Sequence, residues 1–168
     1  MLGVFLTACT EALNWAGRRD FAILTVLAHT GLRSAEVASM TLEGMDWQAG
    51  EFAFVGKGNR QEKLPLLFDV GKAIADYCQH ARPENTCRTL FLNGRAPFQA
   101  ISASSVSHVV LCASERAGIL PVRAHQLRHS AASAMRRADL PLFQISQVLR
   151  HQHTATTAVY AKEGCAQL

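Results

Sequence analysis

The residues best suited to chemistry lie in the stretch 125–160, HQLRHSAASAMRRADLPLFQISQVLRHQHTATTAVY. Within it are a His-x-x-Arg-His cluster, a further histidine and a tyrosine, namely His125, Arg128, His129, His151 and Tyr160. Paired arginine and histidine side chains bind phosphate or carboxylate groups well, because their N–H donors are charged and directional. A tyrosine hydroxyl can attack phosphorus as a nucleophile. The combination indicates a phosphodiester as the target.

The segment 125–138 predicts a helix with one cationic face and one packing face, since residues three and four apart lie on the same side of a helix. The cationic face comprises His125, Arg128, His129 and Arg136, and the opposite face comprises Leu127, Ala131, Ala134 and Ala138. We therefore expect one side of this helix to pack against the core and the other to present cations.

The charge of the chain is distributed unevenly. Residues 1–84 carry 8 Lys and Arg against 10 Asp and Glu, whereas residues 85–168 carry 9 against 3 and five of the seven histidines. A basic, histidine-rich half favours a polyanion as partner, and nucleic acid is favoured over a membrane because no basic amphipathic helix of the interfacial kind is present. The alternative interpretation is an ordinary solvated basic surface.

The five cysteines are odd in number and never spaced as C-x-x-C. This indicates reduced thiols in a cytoplasmic protein, and it argues against a disulfide framework or a thiolate zinc site. No segment approaches the roughly 18 apolar residues of a membrane span, so we expect a soluble protein without a membrane partner.

Hydrophobic periodicity and capping signals predict a mainly helical chain of one domain with a β-hairpin. The predicted helices cover 4–15, 20–30, a short segment from 34, 70–81 with Asp69 as its N-cap, 102–117 with a Ser-rich cap, 125–138, 141–149, and a last turn around Tyr160. Residues 46–50 are turn-like, 51–55 and 62–66 alternate as hairpin strands, and 90–92 form a short buried strand or extended segment.

Two further cations lie where they could meet an anion. Arg33 follows Gly31, which is expected to end one helix, and it stands at the start of the next, where amide donors and the guanidinium would point the same way. Glu36 is spaced to hold Arg33 in place, although an exposed i,i+3 pair is the alternative. Lys57 lies between two glycines near the hairpin tip, where it is either a solubilising edge residue or a mobile phosphate contact.

Four segments together resemble the catalytic domain of tyrosine recombinases, the phage integrase family. They are TGLRSAEV at 30–37, GKGNRQEKLPL at 56–66, HQLRHSAAS at 125–133 and LRHQHTATTAVY at 149–160. The resemblance spans nearly the whole of 1–168. It implies an α+β, mostly α-helical fold with a small three-stranded antiparallel sheet, and site-specific recombination of double-stranded DNA through a 3′-phosphotyrosine intermediate.

The resemblance also implies the roles of individual residues. Tyr160 would attack the scissile phosphate, while Arg33 and Arg128 would bind its non-bridging oxygens. His125 would accept the phenol proton, Lys57 would protonate the leaving oxygen, and His151 would donate a hydrogen bond.

Further roles belong to side chains outside that set of six. Glu36 and His129 would orient the catalytic side chains, and Arg60 and Arg150 would contact DNA. Guanidinium charge replaces a divalent metal in this chemistry, so no cofactor and no metal is expected.

The sequence departs from the usual family pattern in three respects. Arg150 stands where glycine more commonly precedes the second-motif histidine. We also expect the N-terminal core-binding domain to be absent and the C-terminal docking helix to be missing or severely shortened. A homo-oligomeric, tetrameric synapse is then expected only with those segments supplied.

Three other interpretations stay open from the sequence. Type IB topoisomerases share the same chemistry, and a non-catalytic DNA-binding relic of an integrase would share the fold. A zinc enzyme would use His125 and His129 at i,i+4 spacing, but no Glu lies between them and Arg128 would repel the cation.

Overall fold

The computed structural model describes the backbone of residues 15–137 and the side chains of residues 15–131. The predicted helices over 141–149 and around Tyr160 lie outside the described residues, as does nearly all of the predicted helix over 4–15. Within the described part, helices account for about half of the residues and three short strands form one sheet. This confirms the predicted α+β class.

Helix α1, Trp15–Thr30, is continuous, so the predicted start near residue 20 is wrong. The first turn is held by Arg19, whose guanidinium lies 5.4 Å from the Trp15 ring centroid and donates from Nη1 to the Leu92 carbonyl oxygen at 3.1 Å. The contact with Leu92 is made across the fold, and the polar sequence Arg18-Arg19-Asp20 gives no local sign of it.

The remaining helices follow the predicted periodicity closely. They are α2 Ser34–Ala38, α3 Phe68–His80, α4 Ala103–Arg116 and α5 Ala124–Arg137. The predicted Ser-rich cap is confirmed, because the Ser102 hydroxyl accepts a hydrogen bond from the Ser105 N–H at 3.1 Å. The prediction that Asp69 caps α3 is wrong: Leu67 is the N-cap, and Asp69 lies in the first turn, where a carboxylate is still favoured by the helix dipole.

The antiparallel sheet consists of β1 Met45–Asp46, β2 Glu51–Val55 and β3 Gln61–Pro65, in that order. The predicted hairpin is confirmed within one residue, and the third strand implied by the family resemblance is present. The turn predicted over 46–50 begins one residue later, because Asp46 belongs to β1 and pairs with Glu51.

The segment 90–92 is fully buried but joins no sheet in the described part of the chain. Leu90 donates its N–H to the Met40 carbonyl oxygen at 2.8 Å, and Phe91 accepts from the Ile101 N–H at 3.1 Å. Of the two predicted alternatives, the extended segment is therefore correct. It closes the core beside α1, whose apolar face packs against α3, α4 and α5.

Tyr77 lies in the centre of this core with no exposed surface. Its ring stacks on Phe91 with centroids 5.6 Å apart, and its hydroxyl accepts a long hydrogen bond from the Leu92 N–H at 3.4 Å. Burial raises the pKa of the Tyr77 phenol, because the ionised form would lose its hydration.

The raised pKa of Tyr77 predicts an alkaline loss of stability. The phenol is neutral in both states below its unfolded pKa of about 10, and above that pH only the unfolded state ionises freely. The free energy of unfolding should then fall by up to about 1.4 kcal/mol per pH unit. In urea titrations between pH 8 and 11, the free energy of unfolding should decline less steeply with pH for Tyr77→Phe than for wild type. Equal declines in the two proteins would contradict the prediction.

None of the helices in residues 15–137 combines the length and apolar character needed to cross a bilayer.

Candidate active site

Arg33 is positioned by the sharp junction between α1 and α2. Gly31 has φ of 63°, the left-handed conformation that ends α1, so the predicted C-cap role is confirmed. Arg33 itself is the N-cap of α2, in an extended conformation with φ −77° and ψ 154°. Only residues 31–33 connect α1 to α2, and the Arg33 side chain projects from the start of α2.

Glu36 holds Arg33 through two contacts. One carboxylate oxygen accepts the Arg33 backbone N–H at 2.7 Å, and the other accepts Nη1 of its guanidinium at 2.9 Å. The Glu36 side chain is only 4 % exposed, whereas that of Arg33 is 46 % exposed. The carboxylate of this ion pair is thus buried, whereas the guanidinium is accessible to solvent. The alternative of a fully exposed surface pair is therefore wrong.

Arg128 reaches the same junction from the other end of the described chain. It is 9 % exposed, and its Nη1 donates to the Gly31 carbonyl oxygen at 2.6 Å across 97 positions of sequence. The predicted separation of faces on α5 is therefore wrong at this residue, because Arg128 is buried as Leu127 is. A long aliphatic stem allows arginine to lie along the packed surface while its guanidinium bonds to a backbone oxygen.

His125 and His129 lie on the exposed side of α5, as predicted, with ring centroids 6.1 Å apart in an edge-to-face arrangement. Leu127 and Ala131 are buried, also as predicted. The side chains of Ala134 and Arg136, and residue Ala138, lie outside the described residues.

A cavity of about 770 Å³ brings three predicted site residues together. Arg33, His125 and Arg128 all line it, although they come from the start of α2 and from α5. Among the described lining residues none is acidic. Two guanidinium groups and an imidazole lining one cavity supply charged donors of the kind that suits a single anion with several acceptor oxygens.

Lys57 and Arg60 lie in the exposed loop between β2 and β3, which is closed by a hydrogen bond from the Gly56 N–H to the Arg60 carbonyl oxygen at 2.8 Å. Neither is among the described residues that line the cavity. His129 is not among them either. The structure thus brings Arg33, His125 and Arg128 together at one cavity. Lys57, Arg60 and His129 do not line it.

The predicted residues His151, Arg150 and Tyr160 lie outside the described part of the chain. Tyr77, the chain's other tyrosine, has its hydroxyl inside the core. It is therefore unavailable to any substrate in the cavity.

Five further polar residues that the sequence did not single out also line the cavity: Ser104, Ser107, His108, Arg123 and Ser34. The first three lie at i, i+3 and i+4 on α4, so a polar stripe opposite the buried valines was the one available signal. Arg123 directly precedes α5, and no sequence pattern distinguishes it from a surface arginine.

The zinc alternative gains no support within residues 15–131, where no group of three or more His, Cys, Asp or Glu side chains lies close enough to share a metal ion.

The fold is a small α+β arrangement with a cavity lined by arginine and histidine side chains. The model of the phage integrase family matches residues 5–165. The chain therefore belongs to the phage integrase family, the tyrosine recombinases.

Relatives in Sinorhizobium fredii support this assignment. The putative integrase/recombinase y4rA is 45 % identical over 149 residues, which cover 87 % of this chain and 36 % of the relative. The putative integrase/recombinase y4gC is 36 % identical over 165 residues, covering 96 % of this chain and 85 % of the relative. The chain thus spans about a third of y4rA and most of y4gC.

Solved structures share the fold. The crystal structure of XerA recombinase has a TM-score of 0.82 and 25 % identity, covering 95 % of this chain and 55 % of that one. The XerH site-specific recombinase bound to its difH substrate has a TM-score of 0.77 and 20 % identity, covering 99 % and 51 %.

Proposed function

We propose that this chain cleaves and rejoins double-stranded DNA in site-specific recombination, through a covalent 3′-phosphotyrosine. The observation that carries the proposal is the shared cavity of Arg33, Arg128 and His125. Family membership supports the same conclusion, and the XerH site-specific recombinase, whose fold this chain shares, is bound to its difH substrate.

In the proposed reaction, the Tyr160 hydroxyl oxygen attacks the scissile phosphorus and the bond to the 5′ oxygen breaks. His125 accepts the phenol proton, and Lys57 gives a proton to the leaving 5′ oxygen. The new phosphotyrosine ester preserves the energy of the broken bond, so a 5′ hydroxyl can later attack it and restore the DNA without ATP.

Arg33 and Arg128 stabilise the charge that develops on the non-bridging oxygens in the transition state. Arg128 suits this role because its guanidinium is buried and already oriented by the Gly31 carbonyl oxygen. A preorganised cation in a region of low dielectric constant stabilises such charge more than one in water. His151 adds a hydrogen bond to the same oxygens, while Glu36 orients Arg33 and His129 supports the site from the same helix.

Tyr160 is assigned as the nucleophile partly by elimination. The chain has two tyrosines, and Tyr77 is fully buried with a raised pKa. A phenol in that position neither meets DNA nor ionises readily, which supports Tyr160 as the attacking group.

Residues 1–168 correspond, in this proposal, to the catalytic part of longer recombinases, and Arg60 and Arg150 contact the DNA around it. The cytoplasm is the proposed compartment, since the substrate is DNA.

The test is the capture of a covalent protein–DNA adduct on a pool of nicked duplexes of random sequence. A nick near the cleavage point releases a short fragment, so the adduct accumulates. Wild type and Tyr77→Phe are expected to give an adduct that survives denaturing gels, and Tyr160→Phe to give none. An adduct from Tyr160→Phe, or none from wild type, contradicts the proposal, and plasmid relaxation without recombinant products would favour a topoisomerase.

Gly31→Ala should impair both folding and cleavage. A side chain at φ of 63° costs about 1–2 kcal/mol, and relief of that strain would move the carbonyl oxygen that orients Arg128. Gly118→Ala is the matched control, because Gly118 has the same φ, its added Cβ meets nothing within 4 Å, and it lies outside the site. The melting temperature should fall for both variants, whereas the rate of adduct formation should fall only for Gly31→Ala.

A further inference from the structure

The cavity has a second polar wall that the proposed reaction does not use. Ser104, Ser107 and His108 of α4 face it, together with Arg123 from the loop before α5. At about 770 Å³ the cavity is far larger than one phosphate group requires. The second wall therefore has room for another part of the same ligand.

The two walls are in direct contact. The hydroxyl groups of Ser34 and Ser107 lie 2.9 Å apart and share a hydrogen bond, and Ser34 is the residue next to Arg33. A ligand bound by Arg33 is thus a short distance from the hydroxyl groups of α4.

Arg123 is held at the cavity by its backbone. Its N–H donates to the Gln126 side-chain oxygen at 2.7 Å, which fixes the residue at the start of α5. With Arg33 and Arg128 it makes three arginines around one cavity, and none of the described lining residues is acidic.

The donors of the second wall suit a phosphate better than a base. Hydroxyl and guanidinium groups are common phosphate contacts, whereas bases stack on aromatic rings. No Phe, Tyr or Trp is among the described residues lining the cavity. Successive phosphates along one DNA strand recur about every 3.4 Å of helix axis, so a strand with one phosphate at Arg33 and Arg128 carries the next one nearby.

We propose that Arg123, with the hydroxyl groups of Ser104 and Ser107, binds the phosphate adjacent to the scissile one on the same strand. This subsite rests on the proposed function and deepens it: two neighbouring phosphates, one at each wall, set the register of the strand before cleavage. Arg123 is then a positioning residue, because it does not contact the reacting phosphorus.

The test compares small probes that need no known target sequence. Thymidine 3′,5′-bisphosphate carries two phosphates on one nucleoside, spaced as neighbours in a strand, and the two thymidine monophosphates carry one each. Calorimetric titration at low salt should show wild type binding the bisphosphate about tenfold more tightly than either monophosphate, the gain expected from one charge-assisted contact.

Arg123→Gln is expected to abolish most of this tenfold preference while leaving monophosphate binding intact. Arg95→Gln is the matched control, because it removes the same charge from an exposed arginine that does not line the cavity, and it should keep the preference. Equal binding of the probes by wild type, or an undiminished preference in Arg123→Gln, overturns the second subsite alone. Failure of wild type to bind any of the probes would contradict the phosphate site itself, and with it both proposals.

Discussion

Arg128→Ala is expected to slow DNA strand cleavage by about 100- to 1,000-fold, the usual cost of removing one preorganised donor from a developing oxyanion. The guanidinium is buried and fixed by the Gly31 carbonyl oxygen, so water is a poor substitute for it. The rate is measured as single-turnover formation of the covalent adduct, with the enzyme in excess over nicked duplex.

Arg128→Lys separates charge from geometry. An ammonium group keeps the positive charge but lacks the planar fork that can bond Gly31 and a phosphate together, so only part of the lost rate should return. Arg95→Ala is the control for a general loss of positive charge. Loss of the hydrogen bond to Gly31 costs about 1 kcal/mol of stability, so each variant is assayed well below its melting temperature. Cleavage by Arg128→Ala at the wild-type rate would remove Arg128 from the mechanism.

Glu36→Gln should impair both stability and cleavage although it changes a single atom. The two Glu36 oxygens accept from the Arg33 backbone N–H and from its guanidinium, so the amide NH₂ of glutamine must oppose one of these donors. A lost charge-assisted hydrogen bond at a buried acceptor costs about 1.5–3 kcal/mol. Arg33 is then no longer held at the cavity. The cleavage rate should fall by about tenfold or more, because small misplacements of a group that orients the substrate reduce the rate by such factors.

Glu43→Gln is the matched control for this substitution. Glu43 is an exposed glutamate that forms a surface ion pair with Arg88, and neither residue lines the cavity. Its replacement should leave the adduct rate unchanged, with little effect on the urea midpoint. If Glu36→Gln behaves like Glu43→Gln in both measurements, the carboxylate does not position Arg33.

Much of this arrangement follows from local sequence. The structure contains three short-range features that the sequence predicts: the capping signal of Gly31, the i,i+3 pair of Arg33 and Glu36, and the alternating hairpin strands. Their energetics depend on neighbours within a few residues, which is why periodicity and turn chemistry are sufficient to predict them.

The features that sequence reasoning missed depend on long-range packing. The burial of Arg128 results from contact with a carbonyl oxygen 97 positions away, and helical periodicity placed it on the exposed face. The second wall of the cavity arises only when α4 packs beside α2, so the polar stripe that contains Ser107 did not by itself indicate a site, and Arg123 has no local signature. Family resemblance supplied the roles of Lys57 and Tyr160, which remain predictions.

The most direct measurement is a crystal structure of the Tyr160→Phe variant bound to a DNA duplex. We expect one phosphate in the cavity, with non-bridging oxygens within about 3 Å of the guanidinium nitrogens of both Arg33 and Arg128. A duplex bound elsewhere, with both guanidinium groups facing solvent and no phosphate between them, would contradict this expectation.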